Sequence, residues 1–467
     1  MAYTTINKST DYFNTKLYAG NGSTQSITGV GFQPDWTWIK CRNNGKHHSI
    51  YDSVRGETKY LSSNLTAAEQ TNSGGVTAFN TDGFSVGNFG DVNASFNFAS
   101  WNWKAGGTAP AITYTVKVVS DSGNKYRFDD FGTSAVTLDL QEGGTYTFDQ
   151  ADSSNSGHPL RFYTAADKTG GEYTTGVTTN GTPGSSGAYT RITVAASAPT
   201  LYYQCSNHAG MGGQANTNSL FGSSNFSGSI QTTVSANTTA GFSIVKYTGS
   251  GSLATIGHGL SSSPNLVIVK NRDDGSKTWV TQITALGNNY LELNNANPTF
   301  SGVNYFNNTA PTTTVFSVKS AASTNASGED FIAYCFSEVK GYSKIGTYIG
   351  NGNADGTFVY TGFKPAFIML KNTVDTGDNW TIYDNKRDVD NQAEKLLFAN
   401  SDSTESTGNN IDILSNGFKQ RNTSNGNNGS GDTFIYMAFA EAPLVGTNNI
   451  PCTARWYDKS KRFSKHN

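Results

Sequence analysis

Three stretches of this chain repeat one another in register, so whatever fold one of them adopts must be built three times over. The first reads Leu17-Tyr18-Ala19-Gly20-Asn21-Gly22, then Gly31-Phe32-Gln33-Pro34-Asp35-Trp36-Thr37-Trp38-Ile39-Lys40. The second reads Lys246-Tyr247-Thr248-Gly249-Ser250-Gly251, then Pro264-Asn265-Leu266-Val267-Ile268-Val269-Lys270. The third reads Thr347-Tyr348-Ile349-Gly350-Asn351-Gly352, then Pro365-Ala366-Phe367-Ile368-Met369-Leu370-Lys371. In every copy the proline stands six residues before the lysine. The copies also close alike, on Asn97-Phe98-Ala99-Ser100-Trp101-Asn102-Trp103, Asp330-Phe331-Ile332-Ala333-Tyr334-Cys335-Phe336 and Thr433-Phe434-Ile435-Tyr436-Met437-Ala438-Phe439.

Short apolar runs bounded by Gly, Asn and Pro, with no sustained helical stripe, predict strands buried on both faces. Each copy spans about 100 residues, the size of a two-sheet sandwich. The Gly-x-Gly after each first tyrosine predicts a turn with positive φ. Charged residues are only 15% of the chain while aromatic residues are 12%, a balance that suits many short strands and several filled cores. The fold expected is therefore all-β and multidomain. Related sandwich modules fall at 1–107, 241–339 and 343–443, a separate domain at 111–233, and a tail at 444–467.

The stretch 111–233 breaks the repeat. Thr113-Tyr114-Thr115-Val116-Lys117-Val118, Val136-Thr137-Leu138-Asp139-Leu140 and Thr145-Tyr146-Thr147-Phe148 alternate as half-buried strands do. It also holds Cys205-Ser206-Asn207-His208-Ala209-Gly210-Met211, with His158 far upstream in a Ser-Gly-His-Pro turn. A thiolate, two imidazoles and a thioether form the donor set of a type 1 copper centre, and one tight loop offers three of them. His158 precedes Pro159-Leu160-Arg161-Phe162-Tyr163, a strand expected to lie beside the one ending in Leu201-Tyr202-Tyr203. A plainer reading makes Cys205 a small buried hydrophobe, Met211 a gap filler and the histidines surface residues. This domain resembles the cupredoxins, including plastocyanin, amicyanin and pseudoazurin. The resemblance implies a Greek-key sandwich with copper held by His158, Cys205, His208 and Met211; Zn²⁺ would suit the same ligands.

The remaining candidates read as structure. Trp36 and Trp38, like Trp101 and Trp103, are two apart and share a strand face, which would suit a sugar platform. The matching positions in the other copies stay apolar, which predicts core. Tyr51-Asp52-Ser53-Val54-Arg55 returns as Tyr383-Asp384-Asn385-Lys386-Arg387 but is missing from the middle copy. Each Asp-Arg set predicts a loop-fixing ion pair. With no second carboxylate to flank a cleft, no catalytic residue is assigned and no enzyme is expected. His47-His48 sits in a polar turn and is expected to be exposed. Gly249-Ser250-Gly251-Ser252-Leu253-Ala254 matches a dinucleotide fingerprint only in letters, because strand-like sequence flanks it.

Net charge is −2, which opposes a general attraction to nucleic acid. Arg455, Lys459, Lys461, Arg462 and Lys465 make the tail basic, and that suits a solvated or partner-docking segment. No run approaches the ~20 apolar residues of a membrane helix, so no membrane insertion is expected. The start lacks a secretory pattern, which predicts synthesis in a host cytoplasm and release by lysis. Cys41, Cys205, Cys335 and Cys452 are too scattered for a disulfide framework or a paired-cysteine zinc site.

Three phrases are similar to structural proteins of marine phages, including cyanophages and pelagiphages, often called tail-fibre or virion structural proteins. They are Ile6-Asn7-Lys8-Ser9-Thr10-Asp11-Tyr12-Phe13, Gly31-Phe32-Gln33-Pro34-Asp35 and Phe439-Ala440-Glu441-Ala442-Pro443-Leu444-Val445. The resemblance implies lectin-like sandwiches in a non-enzymatic virion protein, a tail-fibre or surface-appendage component acting in host-surface attachment. Other virion proteins and a host cell-surface glycan are its expected partners, and avidity favours a homo-oligomer. A capsid decoration or head-fibre protein and a copper electron-transfer protein are the alternatives.

Overall fold

The computed structural model describes residues 3–107, 109–218 and 221–444, so the basic tail, apart from Leu444, and Cys452 lie outside the described residues. The chain is all-β. The repeated phrase folds three times into the same four antiparallel strands. In the first copy Phe13–Ala19, Asn97–Trp103, Trp36–Cys41 and Ser49–Asp52 lie side by side in that order. Phe242–Thr248, Asp330–Phe336, Leu266–Asn271 and Val280–Ile283 repeat the order in the second. Ser343–Ile349, Thr433–Pro443, Phe363–Asn372 and Thr381–Asp384 repeat it in the third.

A smaller outer layer faces each set. Its strands are Gln25–Thr28, Gly83–Val86 and Val76–Asn80 in the first copy, Ala254–Gly257 and Val315–Val318 in the second, and Phe358–Tyr360, Gly417–Gln420 and Ser406–Leu414 in the third. The turn glycines do two jobs. Gly22, Gly251 and Gly352 take φ of +71°, +71° and +63°. Gly20, Gly249 and Gly350 instead pass so close to the carbonyls of Ala94, Ala326 and Gly429 that a Cβ would collide.

Strand alternation explains why the central runs are buried throughout. Ile39, Cys41 and Phe98 point into the first copy's own core, as Val267, Val269 and Ala333 do in the second and Ile368, Leu370 and Ala438 in the third. The opposite faces meet in one shared core that joins Trp36, Trp38 and Trp101 to Leu266, Ile268 and Tyr334 and to Phe367, Met369 and Met437. The three copies close round an axis. Trp103, Phe336 and Phe439, equivalent in the repeat, meet there with ring centroids 6.4, 5.5 and 5.9 Å apart.

The junctions between copies are related in the same way. The amides of Glu69, Thr299 and Glu405 donate to the carbonyls of Arg272, Thr373 and Arg42, running from first to second, second to third and third to first. Trp279 and Trp380 donate their indole N–H groups to the carbonyls of Ser62 and Glu292. His48 occupies the matching position, with Nε2 2.9 Å from the carbonyl of Phe398. Its expected exposure is thus corrected: it is fully buried, because it is the first copy's version of the two tryptophans. A head-to-tail contact that returns to its start makes a closed ring, here within one chain.

The insert is a two-sheet sandwich. One sheet orders Asn124–Phe128, Ala111–Ser120, Thr145–Asp149, Tyr189–Thr193 and Val177–Asn180; the other orders Leu138–Gln141, Gln214–Asn218, Leu201–Cys205 and Leu160–Tyr163. Tyr114, Phe128, Phe148, Phe162 and Tyr203 fill the space between them. Its join to the second copy is shared, because Phe226 packs in the insert's own core while the strands on either side of it extend the second copy's sheet. Thr232–Asn237 already pairs with Phe242–Thr248, and Ser223–Asn225 pairs with Thr232–Asn237.

Candidate functional site

Two antiparallel strands bring the distant histidine to the cysteine. Leu160 pairs with Cys205, so the turn before Leu160–Tyr163 and the loop after Leu201–Cys205 rise from the same end of one sheet. The turn is fixed by backbone bonds. The amide of His158 donates to Asn155, and its carbonyl accepts from Tyr126 Oη and from Gln150 Nε2, both at 2.9 Å. Asn207 Nδ2 donates to the carbonyl of Gly157 at 2.9 Å and ties the ligand loop to the histidine turn. The amide of Ser206 bonds the carbonyl of Pro159, and Lys125 Nζ bonds that of Gly210. At Gly212 a Cβ would fall 1.6 Å from the carbonyl oxygen of Tyr203, so only glycine lets the loop turn there.

Three donor atoms converge. His158 Nδ1 lies 3.1 Å from His208 Nδ1 and 3.9 Å from Cys205 Sγ, and His208 Nδ1 lies 3.5 Å from that sulfur. A point equidistant from these atoms lies about 2 Å from each, close to metal–nitrogen bonds and slightly short of a metal–thiolate bond. Cys205 is buried, His158 partly buried and His208 exposed, so the sulfur sits in a dry wall and the imidazoles form the rim. Burial, and then the neighbouring His208, lower the pKa of His158 below its usual value and favour the neutral imidazole that a metal needs. Met211 is buried in the same core as Cys205, its carbonyl accepting from the amide of Tyr126. His158, Cys205 and His208 form the one group of this kind among the described residues.

The other sequence candidates are sealed inside. Trp36, Trp38, Trp101 and Trp103 are core, at most 1% exposed. Asp52 and Arg55 are paired and buried, as are Asp384 and Arg387, at the junctions of the first copy with its two neighbours. The Gly249-Ser250-Gly251 turn leads from one strand to another, with no helix for a phosphate to face. His48 was missed as a junction residue because its polar neighbours masked it; alignment of the three copies, which sets it against Trp279 and Trp380, was the available signal.

The sequence model of a family described as a domain of unknown function (DUF7483) matches residues 8–140 and 214–443, most of the chain. The chain belongs to the DUF7483 family. Its matched segments hold all three repeated copies together with the first and last strands of the insert. His158, Cys205, His208 and Met211 all fall in the interval between those segments, so the candidate metal ligands lie outside the DUF7483 match. No curated protein and no solved structure matches the chain. No helix among the described residues is long and apolar enough to cross a membrane.

Proposed function

We propose that this DUF7483 protein is a non-enzymatic structural component of a virion, a tail-fibre or surface-appendage protein that acts in host-surface attachment, with other virion proteins and a host glycan as partners. The reading rests on the resemblance of its repeated phrases to marine phage structural proteins. One observation supports a scaffolding role: the three copies close into a single body around Trp103, Phe336 and Phe439. Buried junctions leave loops on the outside, and loops on a rigid frame are where recognition is usually carried. A homo-oligomer would use surfaces other than this shared core. Labelling of the chain in intact particles by electron microscopy tests the reading. Label on the tail or an appendage supports it, label on the head favours a decoration or head-fibre protein, and particles without label overturn both.

A second reading is favoured by the Nδ1, Nδ1, Sγ triangle. In this reading the insert is a cupredoxin-like domain in which His158, Cys205 and His208 would hold copper, with Met211 as a weaker fourth donor. A copper ion so held supplies one-electron redox chemistry. The chain's part is to keep the His158 imidazole neutral, to place the Cys205 sulfur in the dry wall and to brace the loop through Asn207 and Gly212. Copper titration of the full chain tests it: intense absorption near about 600 nm that Cys205→Ala abolishes supports a type 1 site, and a colourless titration removes it. Tight binding of Zn²⁺ alone would make the site a structural one.

A further inference from the structure

The three copies differ most tellingly on their outer strands. Ile27, Ile256 and Val359 occupy one position, each buried opposite a phenylalanine. The residues flanking it are Ser26 and Thr28 in the first copy, Thr255 and Gly257 in the second, and Phe358 and Tyr360 in the third. Apolar identity at an equivalent buried position signals core. Here the reverse holds, since large rings replace small residues and remain 43% and 54% exposed.

The setting is flat and open. In the second copy the corresponding strand is flanked by Ile230, which pairs with Ile256, whereas among the described residues Phe358–Tyr360 is bordered only by Gly417–Gln420. The two rings stand on one strand face, roughly 7 Å apart. Gly417, opposite Tyr360, adds no side chain, and a Cβ there would press on the Phe358 ring at 3.1 Å. The Tyr3 hydroxyl meets Tyr360 beside Gly362, donating to the Gly362 carbonyl at 3.0 Å, while its ring faces Lys340 Nζ at 4.5 Å. Beside the other end, the exposed Asp355 receives the half-buried Lys419 at 2.7 Å and Arg421 at 3.2 Å, which places hydrogen-bonding groups of both signs there.

We propose that this strand face is a glycan-binding site that stacks a pyranose ring on Phe358 and Tyr360 while its hydroxyls bond the Asp355, Lys419 and Arg421 group. The axial C–H face of a pyranose is apolar and weakly positive, which suits the negative face of an aromatic ring. Two half-exposed rings offer about 200 Å² of apolar area. A stable protein partner buries roughly 800 Å² on each side, so the patch fits one or two sugar units far better than a protein. The proposal deepens the attachment reading without depending on particle location. A virion protein that binds no glycan sinks only this proposal, and a glycan-binding protein absent from virions sinks only the other.

The test uses the full chain with cellohexaose, maltohexaose and chitohexaose as probes, followed by calorimetry. The decisive variant, Phe358→Ser with Tyr360→Thr, installs the residues that the first copy already carries at these positions. We expect at least one probe to bind and the variant to bind it at least about tenfold more weakly, with an unchanged urea midpoint. Failure of all three probes, or equal binding by the variant, overturns the proposal. So does a variant that alters the oligomeric state and not the binding, since the face would then be a contact between copies.

Discussion

Tyr334 of the second copy donates its hydroxyl hydrogen to Asp52 of the first at 2.7 Å, and that carboxylate is simultaneously held by Arg55. The same relationship recurs one junction away, where Trp101 Nε1 donates to Asp384 at 3.0 Å and Arg387 holds it at 2.6 Å. At the third junction every partner is replaced together. Ile283 stands where Asp52 and Asp384 stand, Leu286 replaces the arginine, and Met437 replaces the donor. Ile283 and Met437 line one small apolar cavity. A buried ion pair and a well-packed apolar set are interchangeable only as complete sets, because half a set leaves a buried charge without its partner.

Single replacements at these junctions should therefore cost much more than their area suggests. Tyr334→Phe should lower stability by about 1–3 kcal/mol and Asp52→Ala by about 3–5 kcal/mol. Ile283→Asp, which places a lone carboxylate opposite Met437, should also destabilise strongly. Urea unfolding measures all three, and a neutral Asp52→Ala would refute the account.

Trp101 and Trp103 should respond differently to the same change. Trp101→Phe strips Asp384 of a donor, whereas the Trp103 indole N–H has no partner among the described residues and its equivalents are Phe336 and Phe439. Trp103→Phe should thus be the milder variant in thermal unfolding, by about 1 kcal/mol or more. The reverse order would show that volume on the axis outweighs hydrogen bonding.

His48 should make the protein acid-labile. Burial, chiefly, and then Lys40 push its pKa from 6.5 down to about 3. Between those values the unfolded chain binds the extra proton, so its contribution to stability is full above pH 6.5 and is lost as the pH falls toward 3. Trp38 Nε1 donates to His48 Nδ1 at 2.8 Å, so His48→Trp alone strands that donor. The pair His48→Trp with Trp38→Ile copies the second copy and should fold while losing this acid dependence. A double-mutant cycle in urea, repeated at pH 7 and pH 4.5, reads the coupling.

Lys40, Lys270 and Lys371 are buried against backbone carbonyls, and desolvation lowers each pKa from 10.5 to about 8. From pH 8 toward 10.5 these lysines hold more protons in the unfolded chain, so their own contribution to the urea midpoint should rise with pH across that window, opposed above about pH 9 by Cys335 and the buried tyrosines, whose raised pKa values keep them protonated in the folded chain. Lys371→Met removes one of the three groups and should flatten the rise in urea midpoint. An unchanged slope would place the titration elsewhere.

Gly212→Ala should abolish metal loading, since its Cβ cannot coexist with the Tyr203 carbonyl. The core shared by the three copies does not include the insert, and its urea transition should persist. Undiminished metal binding in this variant would detach the loop geometry from the site.

Much of this protein was legible in the order of its residues. The Pro-to-Lys register, the paired aromatic positions that stay apolar in every copy and the Cys205, His208, Met211 spacing all depend on local periodicity, which strands and tight loops translate directly into geometry. The same letters also carried the loss of the Asp-Arg set from the middle copy, but not its meaning. Which face of each strand meets its own small sheet, and which meets the other two copies, is decided by contacts between residues hundreds of positions apart. His48 is the clearest case: its neighbours in sequence are polar, its neighbours in space are a tryptophan and the backbone of the third copy, and burial follows space. The inserted domain likewise makes similar modules unequal: the segment that follows it flanks the second copy's outer strand at Ile256, while Phe358–Tyr360 has no such neighbour among the described residues.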